Sequence, residues 1–374
     1  MPTKITSKKV VLAHDWLAGF RGGERVLESL VEIFPAAPIY TLLHKPGSTS
    51  PLIESRTIRT SFLNRVPGVY ENYRKLLPLM PKAAESIRVE EADVMLSSCH
   101  CVIKGVPKPA GSRHVSYVHS PMRYMYDQYE NYFGPTAGFA TRMGGRVFRN
   151  SLVNWDLRSN KNVDLMIANS RFVRERIRRF YGLDPEVIYP FVDFQDFTSL
   201  RSSQLTKQDQ YVMVTAFAPN KRVDLAIAAF NELKKPLVII GGGQLDRELR
   251  EMAGPNIRFL GNVSRQVVVD TLAVSRALIF PGVEDFGITP LEALAAGTPV
   301  IAFKAGGVIE TLTDDDSVFF DEASIAKLKD AVDRFEREGR KTDWNRIQFF
   351  SRERFQREIL DAVNDSRKTP KWQS

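Results

Sequence analysis

The sequence has little cysteine and no long apolar run. Its only cysteines, Cys99 and Cys101, stand one residue apart. That spacing rarely forms a disulfide, and with the intervening His100 it supplies too few ligands for a structural zinc site. No stretch approaches the roughly 18 apolar residues that span a bilayer. The N-terminal segment has a basic start but only a four-residue apolar run, Val10–Ala13, which does not fit a signal peptide. We therefore expect a cytoplasmic protein with reduced thiols.

The length of the chain and its charge distribution indicate the number of domains and the kind of partner. A chain of 374 residues with 43% apolar residues suits two domains of ordinary size. Residues 1–190 carry 27 Lys or Arg against 17 Asp or Glu, a net charge of +10, whereas residues 191–374 carry 25 against 27, a net charge of −2. The positive half indicates an anionic partner, such as nucleic acid, a membrane surface or a phosphorylated acceptor.

The second half of the chain alternates short apolar runs with helical patterns. Apolar runs bounded by Gly, Pro and polar residues are typical of buried strands. Strands separated by helices predict a parallel sheet with helices on both faces. The predicted strands are Tyr211–Phe217, Leu237–Ile240, Ile257–Leu260, Ala277–Phe280 and Val300–Phe303.

The segment after the strand Ala277–Phe280 predicts a tight turn followed by a helix. Thr289 suits the N-cap of that helix, and Pro290 suits its first position. The turn therefore lies at the carboxyl end of a strand, where open parallel sheets bind ligands. Gly287 lets the backbone come close to a ligand, and the unpaired N–H groups ahead of the helix attract anions and hydroxyl oxygens.

Two carboxylates flank this turn. Thr289 and Glu292 fit the capping box S/T-x-x-E, so Glu292 either caps the helix or binds a ligand, and local chemistry favours neither. Glu284 precedes the helix and has no capping role. A carboxylate beside a glycine turn favours acceptance of hydrogen bonds from a bound molecule.

Two further loops follow strands of the same predicted sheet. Lys221 and Arg222 place cations at the start of a predicted helix, Val223–Leu233. Gly241 and Gly242 follow the next strand and allow the backbone to approach a phosphate. Cations, glycines and exposed N–H groups opposite a carboxylate loop predict a nucleotide-sugar site, with basic groups for the diphosphate and carboxylates for the hydroxyls.

The first half opens with a strand, a glycine-containing loop and a predicted helix, Glu24–Phe34. Gly22 and Gly23 end that loop, but the spacing is not G-x-G-x-x-G, so a dinucleotide site is weakly supported. The loop is either a tight turn or part of an acceptor site. His119 ends a later predicted strand, His114–Val118. A single histidine is more often structural than functional, although this position could reach a ligand.

Residues 60–88 interleave apolar and basic side chains and contain Pro67, Pro78 and Pro81. Such a segment could lie at a membrane interface. The alternative, slightly favoured for the fold, is a set of short helices packed on the domain with a solvated basic face. A later predicted helix over residues 141–158 carries Arg142, Arg146 and Arg149 on one face.

These motifs resemble glycosyltransferase family 4. The resemblance rests on the E-x7-E pair with Phe-Gly-Ile between its glutamates, on Lys221-Arg222 ahead of a helix, on Gly241-Gly242 and on His119-Ser-Pro. The start of the chain, VVLAHDWLAGFRGGERVLE, is similar to that of bacterial mannosyltransferases that build O-antigen and related polysaccharides. The resemblance covers nearly the whole chain.

The resemblance implies an α/β protein of GT-B fold. Such a fold has two Rossmann-like domains with parallel sheets that face each other across a cleft, and a C-terminal helix that crosses back to the N-terminal domain. The implied divisions are an acceptor-side domain over residues 1–195, a donor-binding domain over residues 196–345, and a crossover helix with a basic tail over residues 346–374. The periodic segment Arg346–Val363 fits that helix.

The family also implies retaining transfer without a metal cofactor, with His119, Glu284 and Lys221 as the candidate catalytic residues. Lys221, assisted by Arg222, would hold the donor diphosphate and stabilise the leaving charge. Glu292 would bind the ribose hydroxyls, Glu284 the donor sugar, and His119 that sugar near the reacting centre. The other implied contacts are the backbone of Phe286, Gly287 and Ile288 for the sugar, Gly241 and Gly242 for the donor, Val263 for the base, and Gly22 and Gly23 for the phosphates or the acceptor.

Two departures from the family pattern stand out. The family usually has an Arg a few residues before the Lys, where this chain has Ala216. The loop after Thr313 also lacks the usual glycine. Either Arg222 supplies the second cation, or diphosphate binding is weaker than in the family.

The function favoured by the sequence is transfer of a hexose, first of all mannose from GDP-mannose, to a lipid-linked saccharide at the cytoplasmic face of the inner membrane. The protein would bind that membrane peripherally. A different nucleotide-sugar enzyme of the same fold, such as an epimerase, is the alternative. A nucleic-acid-binding protein is disfavoured because the cations are scattered over several helices and no nucleic-acid motif is present.

Overall fold

Two all-parallel sheets organise the chain in a computed structural model that describes residues 8–134, 138–202, 206–365 and 371–372. The chain divides into two compact units. The first unit runs to Pro190 and takes up the chain again from Glu353, and the second runs from Phe191 to Arg352. The predicted fold class, with two Rossmann-like domains, is confirmed at the level of these sheets.

The first unit contains a sheet of seven strands in the order β3-β2-β1-β4-β5-β6-β8. Its first strand has the second strand on one side and the fourth on the other, so the strand order reverses between β1 and β4. The strands of the first unit are Val10–His14 (β1), Ile39–Thr41 (β2), Ile58–Thr60 (β3), Val94–Cys99 (β4), Arg113–Val118 (β5), Leu165–Ala168 (β6), Leu183–Asp184 (β7) and Glu186–Val187 (β8).

Helices cover this sheet and bury its apolar strands. Their bounds are Gly22–Ile33 (α1), Pro51–Glu54 (α2), Val69–Asn72 (α3), Met80–Ser86 (α4), Tyr129–Phe133 (α5), Phe139–Ser159 (α6) and Arg171–Tyr181 (α7), with 3-10 turns at Phe62–Arg65, Tyr73–Leu79, Ile103–Gly105 and Asn160–Asn162. Ser170 caps α7 by accepting the N–H of Val173, and Gly182 ends that helix with φ of +67°. Both roles follow from the sequence, because Ser is a favoured N-cap and Gly a favoured residue after a helix.

The second unit contains a sheet of six strands in the order β11-β10-β9-β12-β13-β14, and this order reverses between β9 and β12. The strands are Tyr211–Val214 (β9), Leu237–Ile240 (β10), Ile257–Gly261 (β11), Leu278–Phe280 (β12), Val300–Phe303 (β13) and Ser317–Phe320 (β14). The helices are Val223–Leu233 (α8), Asp246–Met252 (α9), Arg265–Val274 (α10), Ile288–Ala295 (α11), Val308–Thr311 (α12), Ile325–Glu338 (α13) and Trp344–Ile347 (α14), with 3-10 turns at Phe194–Ser202, Pro219–Lys221 and Gln348–Phe350. The last helix, Arg352–Asn364 (α15), belongs to the first unit from Glu353 onward. A last short strand, Lys371–Trp372 (β15), pairs antiparallel with β7 in the first unit.

The predicted single helix Arg346–Val363 is wrong in its first part. A helical turn, a 3-10 turn and an extended residue, Ser351, precede α15. The extended backbone arises because Ser351 forms a parallel bridge with Val192, whose N–H donates to Phe350 O at 2.9 Å. The structure divides the units at Pro190 and Phe191 and again at Arg352 and Glu353, whereas the sequence suggested 195 and 345.

Residues 60–88 form short helices that pack on the first unit, which was the slightly favoured of the two interpretations of this segment. Leu63, Met80 and Ala84 are buried in its core, and Tyr73 and Leu77 lie against the same cluster. The large apolar side chains that remain exposed in this segment are Phe62 and Leu79. Along residues 8–134, 138–202 and 206–365, no helix has both the length and the apolar content needed to cross a bilayer.

Candidate functional site

The second sheet brings two predicted loops together where its strand order reverses. One loop follows β9 and carries Lys221; the other follows β12 and carries Glu284. Carboxyl ends of adjacent strands with outward connections leave a crevice at such a point, which is the usual ligand position in open α/β sheets. The sequence predicted both loops, but the neighbouring position of β9 and β12 comes from the strand order.

Lys221 and Glu284 form an ion pair, with Nζ and Oε1 2.5 Å apart. Their side chains are only 19% and 21% exposed, so the pair is screened by solvent less than a surface pair. A ligand bound here would exchange this pair for contacts of each group with a matching ligand group. A diphosphate could take the lysine, and a sugar hydroxyl could take the carboxylate.

Two glycines outside the predicted site residues hold these loops in contact. A Cβ on Gly282 would lie 2.7 Å from Asn220 O and 2.8 Å from Lys221 Cα. Gly307 donates its N–H to Glu284 O at 2.9 Å, and a Cβ there would lie 2.4 Å from Asp285 O. The sequence signal was present in Pro281-Gly282 and in Gly306-Gly307, but only the packing identifies which backbone each glycine meets.

The predicted N-cap at Thr289 is wrong. Helix α11 begins at Ile288, and its N-cap is Gly287, with φ of +85° and no side-chain cap. Gly287 has no side chain with which to cap the first N–H groups of α11, and a helix N-terminus of this kind favours an anion or a hydroxyl oxygen. Phe286 is 3% exposed and packs against Phe350, so its backbone, rather than its ring, is positioned for a ligand.

Glu292 does not serve as the cap partner of Thr289. It lies in the second turn of α11, and its Oε1 is 2.8 Å from the guanidinium NH2 of Arg265. Arg265 also donates from Nε to Asp196 at 2.8 Å and lies over the ring of Phe197. Arg265 was not among the predicted site residues, although its place two residues after Val263, the predicted base contact, was a usable signal.

The glycines after β10 contact protein backbone closely. Gly241 has φ of +133°, and a Cβ there would lie 1.8 Å from Thr215 O. Its N–H donates to Gly261 O at 2.9 Å, and Gly242 O accepts the N–H of Phe217. These glycines thus join the loop after β9 to the loop that contains Val263, a packing requirement that applies whether or not a phosphate binds there.

Arg222 occupies the left-handed region, with φ of 52°, and is the N-cap residue of α8. A non-glycine residue in this region is uncommon, and it turns the backbone from the 3-10 turn into the helix. The guanidinium pairs with Asp224 at 3.2 Å, and both side chains are more than a third exposed. Such a pair contributes little to stability, which leaves the cation free to exchange partners.

In the first unit, His119 directly follows β5. This strand is next to β4, where the strand order of the seven-stranded sheet reverses. Its Nε2 is 2.8 Å from Ser98 Oγ, which is in turn 3.1 Å from His14 Nδ1. Burial, together with the nearby His100 and His14, lowers the pKa of His119 to about 3. The imidazole is therefore neutral at pH 7. If Ser98 donates to Nε2, the proton of His119 lies on Nδ1 and can be donated to a ligand.

A buried acid, Glu24, accompanies this cluster. Its Oε1 is 3.7 Å from His14 Nε2, and its Oε2 accepts the N–H of Arg21 at 2.8 Å. Burial would raise the pKa of Glu24, but the hydrogen bond and charge of His14, the charge of His100 and a backbone hydrogen bond together lower it to about 2. Gly22 and Gly23 form the first turn of α1 rather than a loop ahead of it, and a Cβ on Gly23 would contact His14 Cε1 at 3.6 Å.

The two strand orders define an α/β protein of two units, each with a doubly wound parallel sheet. The family model for "Glycosyltransferase Family 4" matches residues 20–196. The model for "Glycosyl transferases group 1" matches residues 196–348. The chain therefore belongs to glycosyltransferase family 4.

Characterised relatives are similar to parts of this chain. The GDP-mannose-dependent monoacylated alpha-(1-6)-phosphatidylinositol monomannoside mannosyltransferase of Corynebacterium glutamicum is 29% identical over 198 residues, which cover 46% of this chain and 52% of the relative. The O-antigen chain mannosyltransferase RfbU of Salmonella typhimurium is 26% identical over 211 residues, which cover 51% of this chain and 58% of the relative. The chain spans about half the length of the curated relatives it matches.

Solved structures share the fold across nearly the whole chain. Sucrose-phosphate synthase from Thermosynechococcus elongatus superposes with a TM-score of 0.73 at 17% identity, over 95% of this chain and 98% of the other. This likeness confirms the GT-B fold that the sequence predicted.

Proposed function

We propose that this protein is a retaining glycosyltransferase that moves a hexose from a nucleotide donor, first of all mannose from GDP-mannose, to a lipid-linked acceptor of cell-surface polysaccharide synthesis. The observation that carries the proposal is the Lys221–Glu284 pair where the strand order of the second sheet reverses. It supplies a cation for a diphosphate and a carboxylate for a sugar within one small region.

In this reaction the bond between the sugar C1 and the diphosphate oxygen breaks, and a bond from C1 to the acceptor oxygen forms. Negative charge develops on the diphosphate, where Lys221, with Arg222 and the N-terminus of α11, would stabilise it. As the new bond forms, the acceptor hydroxyl passes its proton to the oxygen of the departing diphosphate. Glu284 would orient the sugar, Glu292 the ribose, and His119 would donate a hydrogen bond from Nδ1 to the sugar.

The donor and acceptor proposals draw on different support. The names of the two relatives support mannose, and that of the Corynebacterium enzyme specifies GDP-mannose. A phosphatidylinositol mannoside and an O-antigen chain are the acceptors in those names. The net charge of +10 over residues 1–190 suits an anionic lipid diphosphate at the cytoplasmic face of a membrane.

We also propose that transfer needs no metal ion. Lys221 and Arg222 would supply the positive charge that a divalent cation could otherwise provide for the diphosphate. Transfer that persists unchanged in the presence of EDTA supports this proposal, and transfer that stops until Mg²⁺ or Mn²⁺ is restored contradicts it.

The test is nucleotide binding to wild type and to two variants by titration calorimetry with GDP, UDP and ADP. Lys221→Met should weaken GDP binding roughly tenfold or more, because it removes a cation and leaves Glu284 facing the diphosphate. Glu284→Gln should retain or tighten GDP binding, because it frees Lys221, and should nevertheless reduce sugar transfer at least a hundredfold.

Lys329→Met and Glu232→Gln are matched controls, since those side chains form an exposed pair at 2.8 Å in the same unit. Equal GDP affinity in wild type and Lys221→Met would refute the assigned site. Donor conversion that is independent of any acceptor would favour the epimerase alternative instead.

A further inference from the structure

Helix α6 presents an apolar ridge over its N-terminal half. Phe139, Met143 and Val147 are 77%, 45% and 62% exposed. Their spacing of four residues places them on one face of the helix. We call Phe139, Met143 and Val147 the α6 ridge.

The rest of α6 explains why the ridge is not part of the core. Gly145 faces α5, where a Cβ would lie 2.5 Å from the ring of Phe133. Leu152 and Trp155, in the C-terminal half, are buried in the core of the first unit. Trp155 Nε1 also donates to Glu85 of α4 at 2.6 Å. The helix is therefore held from its other face, and the ridge side chains stay largely outside the core.

The charged residues within the N-terminal half of α6 have one sign. Arg142 and Arg146 lie between the ridge residues, and the helix contains no Asp or Glu from 139 to 155. Among the described residues, neither arginine forms an ion pair with a carboxylate, and both are exposed. The surface thus combines large apolar side chains with cations that lack an anionic partner.

We propose that the α6 ridge with Arg142 and Arg146 is the surface by which the protein docks on an anionic lipid bilayer. The apolar side chains would enter the boundary between headgroups and acyl chains, and the arginines would pair with lipid phosphates. A second copy of the chain fits this surface less well than a bilayer does. Two copies docked here would bring together positively charged surfaces, because residues 1–190 have a net charge of +10. Residues 60–88 do not form the proposed docking surface, because most of their apolar side chains are buried in or packed against the core of the first unit.

This inference builds on the proposed lipid-linked acceptor, but its test reads vesicle binding alone. Wild-type protein should sediment with phosphatidylcholine vesicles that contain phosphatidylglycerol and not with phosphatidylcholine alone. Arg142→Gln with Arg146→Gln should weaken that binding by roughly fivefold for each arginine. Phe139→Ser with Val147→Ser should weaken it by roughly tenfold for each side chain.

Matched controls lie in the second unit. Arg247→Gln with Arg337→Gln makes the same change of net charge at exposed positions, and Met252→Ser with Ile309→Ser removes side chains that are 40% and 49% exposed. Both controls should bind vesicles as wild type does. Circular dichroism melting should show unchanged folding in every variant.

A fluorescent label tests the location directly. Cys99 and Cys101 are 1% and 2% exposed, so an environment-sensitive thiol probe would attach to an introduced cysteine. A probe on Met143→Cys should shift to shorter wavelength when anionic vesicles are added, and a probe on Met252→Cys should not. Absence of wild-type binding, equal loss in the controls, or a concentration-dependent dimer that the ridge variants dissolve would each overturn the proposal. Vesicle binding without any sugar transfer would count against the proposed function alone.

Discussion

At the scale of single residues, the candidate donor site contains charges that already satisfy one another. Lys221 pairs with Glu284, and Arg265 pairs with Glu292 and Asp196. A buried or half-buried charge without a partner is costly, so such pairs stabilise the site while no ligand is bound. Ligand binding must then exchange one partner for another. The net affinity depends on the difference between the two sets of contacts.

Arg265 is accordingly a positioning residue. Its substitution should reduce donor binding by changing the position of the Glu292 side chain. Arg265→Gln leaves the Glu292 carboxylate, whose side chain is only 10% exposed, without its cation. We expect GDP affinity to fall about tenfold and stability to fall by about 1–3 kcal/mol. Arg265→Lys should restore part of both. Titration calorimetry and thermal unfolding measure the two effects, and Arg276→Gln, which disturbs an outer pair with Asp209, serves as the control.

His114 should make the first unit sensitive to mild acid. Its Nδ1 lies 2.9 Å from Asn162 O and its Nε2 lies 2.8 Å from Ser97 Oγ. Burial lowers its pKa from 6.5 to about 4. Between pH 6.5 and 4, His114 is protonated in the unfolded chain but neutral in the folded chain. The free energy of unfolding therefore falls as the pH decreases from 6.5 towards 4.

His114 should lower the free energy of unfolding by about 3 kcal/mol between pH 6.5 and pH 4. Denaturant titrations at several pH values measure it, and His114→Gln should show a shallower decline with falling pH than wild type. His44→Gln, at a half-buried histidine near the surface, is the control. A pH dependence that is identical in wild type and His114→Gln would contradict this account.

At the scale of elements, loops placed by the sheet determine the site. The strand order puts β12 beside β9, and the loops after those strands then approach closely enough to require glycine at 282. Gly282→Ala should push the Lys221 loop away from the Glu284 loop. We expect a loss of stability of about 1–3 kcal/mol from overpacking, and a loss of GDP affinity.

Gly19→Ala is the control for this prediction, because no atom lies within 4 Å of a Cβ at that position. Thermal unfolding and calorimetry of both variants test the prediction. A Gly282→Ala protein with wild-type stability and affinity would show that the loops can separate without consequence.

At the scale of the whole molecule, the end of the chain belongs to the unit where the chain begins. Phe355 of α15 is fully buried in the first unit, with its ring 5.6 Å from that of Tyr117. Arg354 donates to Pro190 O at 2.9 Å, and Gln356 donates to Glu32 at 2.7 Å. Residues far apart in sequence thus share one cooperative unit.

Phe355→Ala should therefore destabilise the first unit by about 3–5 kcal/mol. Hydrogen exchange should accelerate in β5 and β6 and remain nearly unchanged in β9 to β14. Phe230→Ala, at a residue buried in the core of the second unit, should give the opposite pattern. Uniform acceleration across both sheets in either variant would mean that the units do not unfold separately.

The sequence by itself determined the class of fold and the positions of the loops that matter. Alternating apolar runs and helical patterns predict parallel sheets, because a buried strand and an amphipathic helix each have a periodicity that one sequence can show. Motifs such as E-x7-E and Lys221-Arg222 were sufficient to identify the family. The predicted strands Leu237–Ile240 and Val300–Phe303 match the structure residue for residue.

Only the tertiary structure decided which groups meet. Whether Glu292 faces Thr289 or Arg265, which backbone Gly282 touches, and where the helix Arg346–Val363 breaks all depend on contacts between distant segments. The same holds for the apolar side chains of residues 60–88, which are buried, and those of α6, which are exposed. Local patterns show that a side chain is apolar or charged. The partner that it contacts is set by the packing of the sheet and its helices.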